Sequence, residues 1–149
     1  MPRSVLLHID NVYTPGIPDH RMRDLSFPRP EQIKQALADG LYVAVATSDL
    51  ADPEDVWVAT QNGHPGPSSW SREHGHSVSA LGDGFLTDDA GREYGYRSSM
   101  VGDIVLLDGH AHYVASIGFE DLGIDVDPGT IRVVGGGMLA EALTPGITP

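Results

Sequence analysis

The sequence predicts an α+β fold: a small mixed or antiparallel sheet, partly barrel-like, with two short helices and a C-terminal β-hairpin. Three observations carry that expectation. SVLLHI and LYVAVAT are apolar runs of strand length. PRPEQIKQALADG and DPEDVWVATQNG carry helix start and stop signals at their ends. Asp108-Gly109 separates two alternating apolar runs, which is a strong signal for a two-residue hairpin turn. At 149 residues the chain has the length of one domain, residues 1–149, and no linker or internal repeat divides it.

Taken in order, Ser4–Ile9 reads as a first strand with Val5, Leu7 and Ile9 on one face. DNVYTPGIPDHRMRD, rich in Pro, Gly and Asp, is a loop. In PRPEQIKQALADG, Pro30 suits the first helical position and Glu31 complements the dipole. Ile33, Ala36 and Leu37 form the apolar stripe, and Gly40 ends the helix. Residues 41–47 are apolar on both faces and predict a central strand. In DPEDVWVATQNG, Asp52 is the N-cap, Pro53 opens the helix, and Asn62-Gly63 stops it, with Val56, Trp57 and Thr60 toward the sheet.

Residues 63–80 read as a long loop with little regular structure. Pairing outward from Asp108-Gly109 sets Leu107 opposite His110, Leu106 opposite Ala111, Val105 opposite His112 and Ile104 opposite Tyr113. Strands are expected near 101–107 and 110–117. Ile104, Leu106, Ala111, Tyr113, Ala115 and Ile117 then share the core face, and His110 and His112 the other. Residues 130–134 predict a last strand, and GGGMLAEAL a glycine turn with a short helix.

Composition narrows the function classes. The formal net charge is −12, and both halves of the chain are acidic. Such a domain repels nucleic-acid phosphates, so direct nucleic-acid binding is not expected. The acidity serves solubility alone, or imitates nucleic acid toward a protein partner. Asp88, Asp89, Glu93, Glu120, Asp121, Asp125 and Asp127, outside the hairpin core, are the acids expected to carry such binding. The chain has no cysteine, which excludes disulfides and thiolate chemistry. The N-terminal apolar run is too short for a signal peptide and no run reaches membrane-spanning length, so a cytoplasmic location without membrane contact is expected.

Two H-x-H pairs are the sharpest candidate metal ligands, His74 with His76 and His110 with His112, since alternate residues of a strand share a face. His64, Asp83 or Asp88 would complete such a site. No HExxH or CxxC pattern accompanies them, and structural or solvated histidines are the expected reading, with no metal and no cofactor. No G-x-S-x-G elbow or S-x-x-K motif is present, so no catalytic residue is assigned. IRVVGGGMLAEAL lacks the spacing of a phosphate loop, and DVDPG lacks the glutamate of a calcium loop; both read as turns.

The stretch RSSMVGDIVLLDG followed by SIGFE resembles the YodL-like domain of plasmid and phage mobile elements. Arg97, Ser98, Val101, Gly102 and Asp103 match its R-S-[LM]-S-V-G-D segment, with Ser99-Met100 exchanging the hydrophobic and hydroxyl positions. Ser116, Gly118, Phe119 and Glu120 match its S-F-G-[FWY]-E end, and EDVWVATQN is similar to its helix. The resemblance implies a non-enzymatic accessory protein of a mobile element, a protein-binding or host-defence-interfering module. Arg97, Ser98, Asp103, Glu120 and Asp121 are its candidate binding residues. Asp103 is placed to accept backbone N–H groups of the preceding turn or to pair with Arg97, and Phe119 to fold back over the core. V-G-D-x-I strands also occur in PUA- and ASCH-like barrels, so a small-molecule- or nucleic-acid-binding barrel stands as the alternative. A metal-dependent enzyme built on the H-x-H pairs and a phage structural protein remain as further classes.

Overall fold

The computed structural model describes residues 2–9, 29–59, 78–81, 86–87, 93–94, 99–115 and 117–143. Among them, nine strands are β1 (Ser4–Ile9), β2 (Tyr42–Ser48), β3 (Val78–Ala80), β4 (Leu86–Thr87), β5 (Glu93–Tyr94), β6 (Ile104–Leu107), β7 (His110–Val114), β8 (Phe119–Asp125) and β9 (Arg132–Val133). The helices are α1 (Pro30–Ala38), α2 (Pro53–Ala59) and α3 (Leu139–Ala142). Seven strands form one sheet in the order β3-β2-β1-β6-β7-β8, with β9 on β2, and β4 and β5 pair separately. The pairings in the large sheet are antiparallel except β2 with β9, which is parallel. The sheet is open, so the class is α+β without the expected barrel-like closure.

Apolar residues on both faces of the central strands require cover on both sides, and the helices supply it. Val5, Leu7, Ala44, Ile104, Leu106 and Tyr113 pack with Ile33 and Ala36 of α1 and Leu139 of α3. Leu6, Val43, Val45 and Val105 pack with Val56 of α2. Each such aliphatic side chain, fully buried, contributes roughly 1.5–3 kcal/mol of transfer free energy. Helix α1 starts at Pro30 as expected, with the Gln32 side chain accepting the Arg29 N–H at 2.8 Å. Asp52 caps α2, accepting the Glu54 N–H at 2.9 Å.

The hairpin has the predicted register: Leu107 faces His110, Leu106 faces Ala111, Val105 faces His112 and Ile104 faces Tyr113. Its turn has Asp108 at φ 49° and Gly109 at φ 85°, both left-handed as a type I′ turn requires. Two expectations fail at its far end. The strand closes at Val114, and Ile117, assigned to the core face, is 90% exposed. The reason is a tight reversal in which the Ala115 N–H donates to the Gly118 carbonyl at 2.9 Å, lifting Ile117 out of the sheet.

The chain then returns as β8 along β7, so Phe119 packs against the core as expected but from the start of a third strand, and the hairpin is not the C-terminal element. Residues 63–80 are likewise not loop throughout, since Val78–Ala80 pairs with the outer half of β2. The expected features at 60–77 lie outside the described residues: Thr60, the Asn62-Gly63 stop, His64, His74 and His76.

Candidate functional site

The end of the sheet where β6 begins and β7 ends is built around one buried carboxylate. Asp103 precedes β6 and is fully buried. One of its oxygens accepts the Ile9 N–H at 2.9 Å and the other accepts the Met100 N–H at 2.7 Å. The second bond is the turn-closing contact expected of an aspartate at a strand entrance. The first reaches across the sheet to β1. Beside it, His8 of β1, also fully buried, places Nε2 at 3.0 Å from the Ser99 hydroxyl and 3.7 Å from the Asp103 carboxylate. Tyr42 of β2 closes the group by donating its hydroxyl to the Gly102 carbonyl at 2.5 Å.

Serine, histidine and aspartate are the residue types of a nucleophilic relay, but this geometry is not one. In a relay the carboxylate orients one ring nitrogen while the other takes the serine proton. Here Ser99 and Asp103 approach the same nitrogen of His8, and both Asp103 oxygens hold backbone N–H groups. The cluster ties three strands and the 99–103 turn together.

What it shapes is a cleft of about 450 Å³ between α2 and this end of the sheet. Among the described residues, Ser99, Met100 and Val101 line one side, and Val114, Ala115, Gly118 and Phe119 another. Glu54 and Trp57 of α2 face them. The described walls are therefore mostly apolar, with one carboxylate among them. A space of this size falls in the range of ligand-binding clefts. The described large apolar residues that stand exposed are Met100 at 44%, which lines it, and Ile117 at 90%, in the reversal between Ala115 and Gly118.

A second constellation lies on the same face of the hairpin, farther along. His110 Nδ1 is 2.8 Å from Asp125 and Nε2 is 2.6 Å from Asp121. The contact depends on a bulge in β8: His110 pairs with Asp125 but His112 pairs with Asp121, so extra residues of β8 loop out and bring both acids to one ring. The hydrogen bonds to Asp125 and Asp121 raise the His110 pKa above its usual 6.5. The Gly123 N–H and then His110 hold the Asp121 carboxyl below the usual carboxylate range. A protonated ring donating to carboxylates at both nitrogens has no lone pair for a metal. His112 meets His110 edge-on, with ring centroids 5.4 Å apart.

Among the described residues, no group of three or more His, Asp or Glu is arranged to hold a metal ion. Of the two H-x-H pairs considered as metal ligands, that statement covers His110 and His112. His74 and His76 both lie outside the described residues.

The expected binding residues thus fall into separate places. Asp103 lies beneath the cleft and positions Met100, while Glu120 is exposed and accepts the Tyr113 hydroxyl. Asp121 belongs to the His110 clamp, and Arg97 and Ser98 lie outside the described residues. Sequence reasoning does not single out His8, Tyr42, Ser99 or Met100. For His8 a signal exists: a histidine alternating with Leu6 in a strand buried on both faces must have a polar partner. No helix of the described residues is long and apolar enough to cross a membrane. Compared with protein-family models, curated proteins and solved structures, the chain finds no match.

Proposed function

We propose that this chain is a non-enzymatic protein-binding module whose recognition surface is the cleft between α2 and the 99–101, 114–115 and 118–119 segments. One observation carries the reading: of the two exposed large apolar side chains of the described residues, Met100 lines this cleft and Ile117 stands between Ala115 and Gly118, which line it. Exposed apolar side chains around a concavity are the usual anchor points of a protein interface. The buried Asp103–His8–Ser99 cluster beneath them fixes the turn that presents Met100.

The likeness of RSSMVGD and SIGFE to the YodL-like domain adds a biological setting, since the described parts of both stretches lie around this cleft. In that setting the module is an accessory protein of a plasmid or phage, and its partner a host protein such as a defence factor. Defence, conjugation or tail genes beside its own gene each favour a different version of that role.

The docking reading is tested by panning a displayed random peptide library against the purified protein. Selected peptides should bind wild type and the Lys34→Asp variant, on the exposed side of α1, with equal affinity. Ile117→Asp and Met100→Asp should each weaken binding by about tenfold or more, the effect of losing an interface anchor. Because both side chains are exposed, the melting temperature should barely move. Binders indifferent to both substitutions would reject the cleft as the recognition surface.

A further inference from the structure

We infer that the cleft takes a basic side chain of its partner, an arginine seated with its methylenes on the apolar walls and its guanidinium between Glu54 and Trp57. The inference rests on the docking reading above and names the chemistry of the occupant. The walls formed by Val101, Val114, Ala115 and Phe119 suit an aliphatic stem and offer no charge. The polar side chains among the described lining residues are Glu54, Trp57 and Ser99, and none is cationic.

Glu54 lies in the first turn of α2 and is exposed at the rim beside Asp55. Trp57 lies one turn further along the helix from Glu54, on the same side, so carboxylate and indole can flank one planar cation. An indole face beside a carboxylate suits a guanidinium better than an ammonium, because the planar group stacks and pairs at once. The net charge of −12 draws such a cation in and repels an anionic occupant.

The test uses small probes on the whole chain, followed by NMR at the Met100 methyl and the Trp57 indole N–H. Butylguanidinium, 1-butanol and pentanoate share a short aliphatic stem and differ in charge. Butylguanidinium should shift both signals saturably, with an affinity about tenfold above that of 1-butanol, and pentanoate should be weaker still. Glu54→Gln, an exposed and nearly isosteric change, should bring butylguanidinium and 1-butanol close together. If the two bind equally to wild type, or Glu54→Gln leaves the preference intact, the arginine assignment is overturned while the apolar cleft stands. Preferential binding of pentanoate overturns it as well. If no probe moves either signal, the cleft reading and the assignment fall together.

Discussion

The carboxylate of Asp103 accepts the backbone N–H of Ile9, joining the end of the first strand to the entrance of the hairpin across 94 residues of chain. Its second oxygen holds Met100, so one buried side chain couples the sheet to the rim of the cleft. Asp103→Asn replaces one acceptor oxygen with an amide donor facing an N–H. Losing a charge-assisted bond and leaving its partner unpaired should cost about 2–3 kcal/mol. Urea unfolding measures the loss. Peptide binding at the cleft should fall too, because Met100 loses its anchor.

Tyr42→Phe isolates the other tie in this cluster. The ring of Tyr42 is 1% exposed and its hydroxyl serves the Gly102 carbonyl, 60 residues away. Removing only the oxygen keeps the apolar packing, so the cost is that of one buried hydrogen bond, about 1 kcal/mol. Denaturant midpoints of the single and double variants with Asp103→Asn separate the two contacts. Their effects should be non-additive, because both act on the 99–103 turn.

The hairpin register is readable in the sequence because its determinants are local: a turn that needs two left-handed residues and alternating side chains on either side. Long-range partners are another matter. His8 and Ser99 meet across 91 residues, and nothing in the spacing of either residue names the other. The third strand of the meander is hidden for a different reason. FEDLGID has three acids and a glycine in seven residues, and only Leu122 is buried. Such a segment forms a strand because its neighbour supplies the ladder, not because its own pattern demands it. Without that third strand in view, alternation alone carries β7 on to Ile117 and puts a surface residue in the core.

Gly109→Ala tests the turn itself. A Cβ at Gly109 would meet nothing within 4 Å, so crowding contributes no cost. What remains is the backbone at φ 85°, which costs an L-residue about 1–2 kcal/mol. For a chain of this size the melting temperature should drop by roughly 2–8 °C. The Gly109 carbonyl also accepts the Val126 N–H at 2.9 Å. Amide exchange at Val126 should therefore quicken in the variant.

The His110 clamp predicts a pH dependence with a definite sign. The folded-state pKa of His110 lies above its usual 6.5, held up by Asp125 and Asp121. Its stabilisation is therefore complete below 6.5 and fades as pH rises through the higher folded value. Asp121 works in the opposite direction. Its folded pKa lies below the usual 3.8, so its contribution is present above that value and fades as pH falls through the lower one. The clamp is strongest in the window between, where the ring is protonated and the carboxylate ionised. The groups facing the ring from its own strand and from β8 are His112, Asp121 and Asp125, and both acids favour the cation. In an NMR titration the His110 ring should show a midpoint above 6.5, and Asp125→Asn should move that midpoint down by removing the largest contributor. Asp121→Asn should lower it as well and also free the Gly123 N–H, which Asp121 accepts at 2.7 Å. A midpoint at or below 6.5 in the wild type would mean that the ring is not held between the two acids in solution. Charge reversal at these positions is then no neutral surface change. Asp121→Lys combined with Asp125→Lys should lower the His110 midpoint further than the asparagine variants do. The same pair should loosen the β8 bulge, seen as faster amide exchange at Gly123.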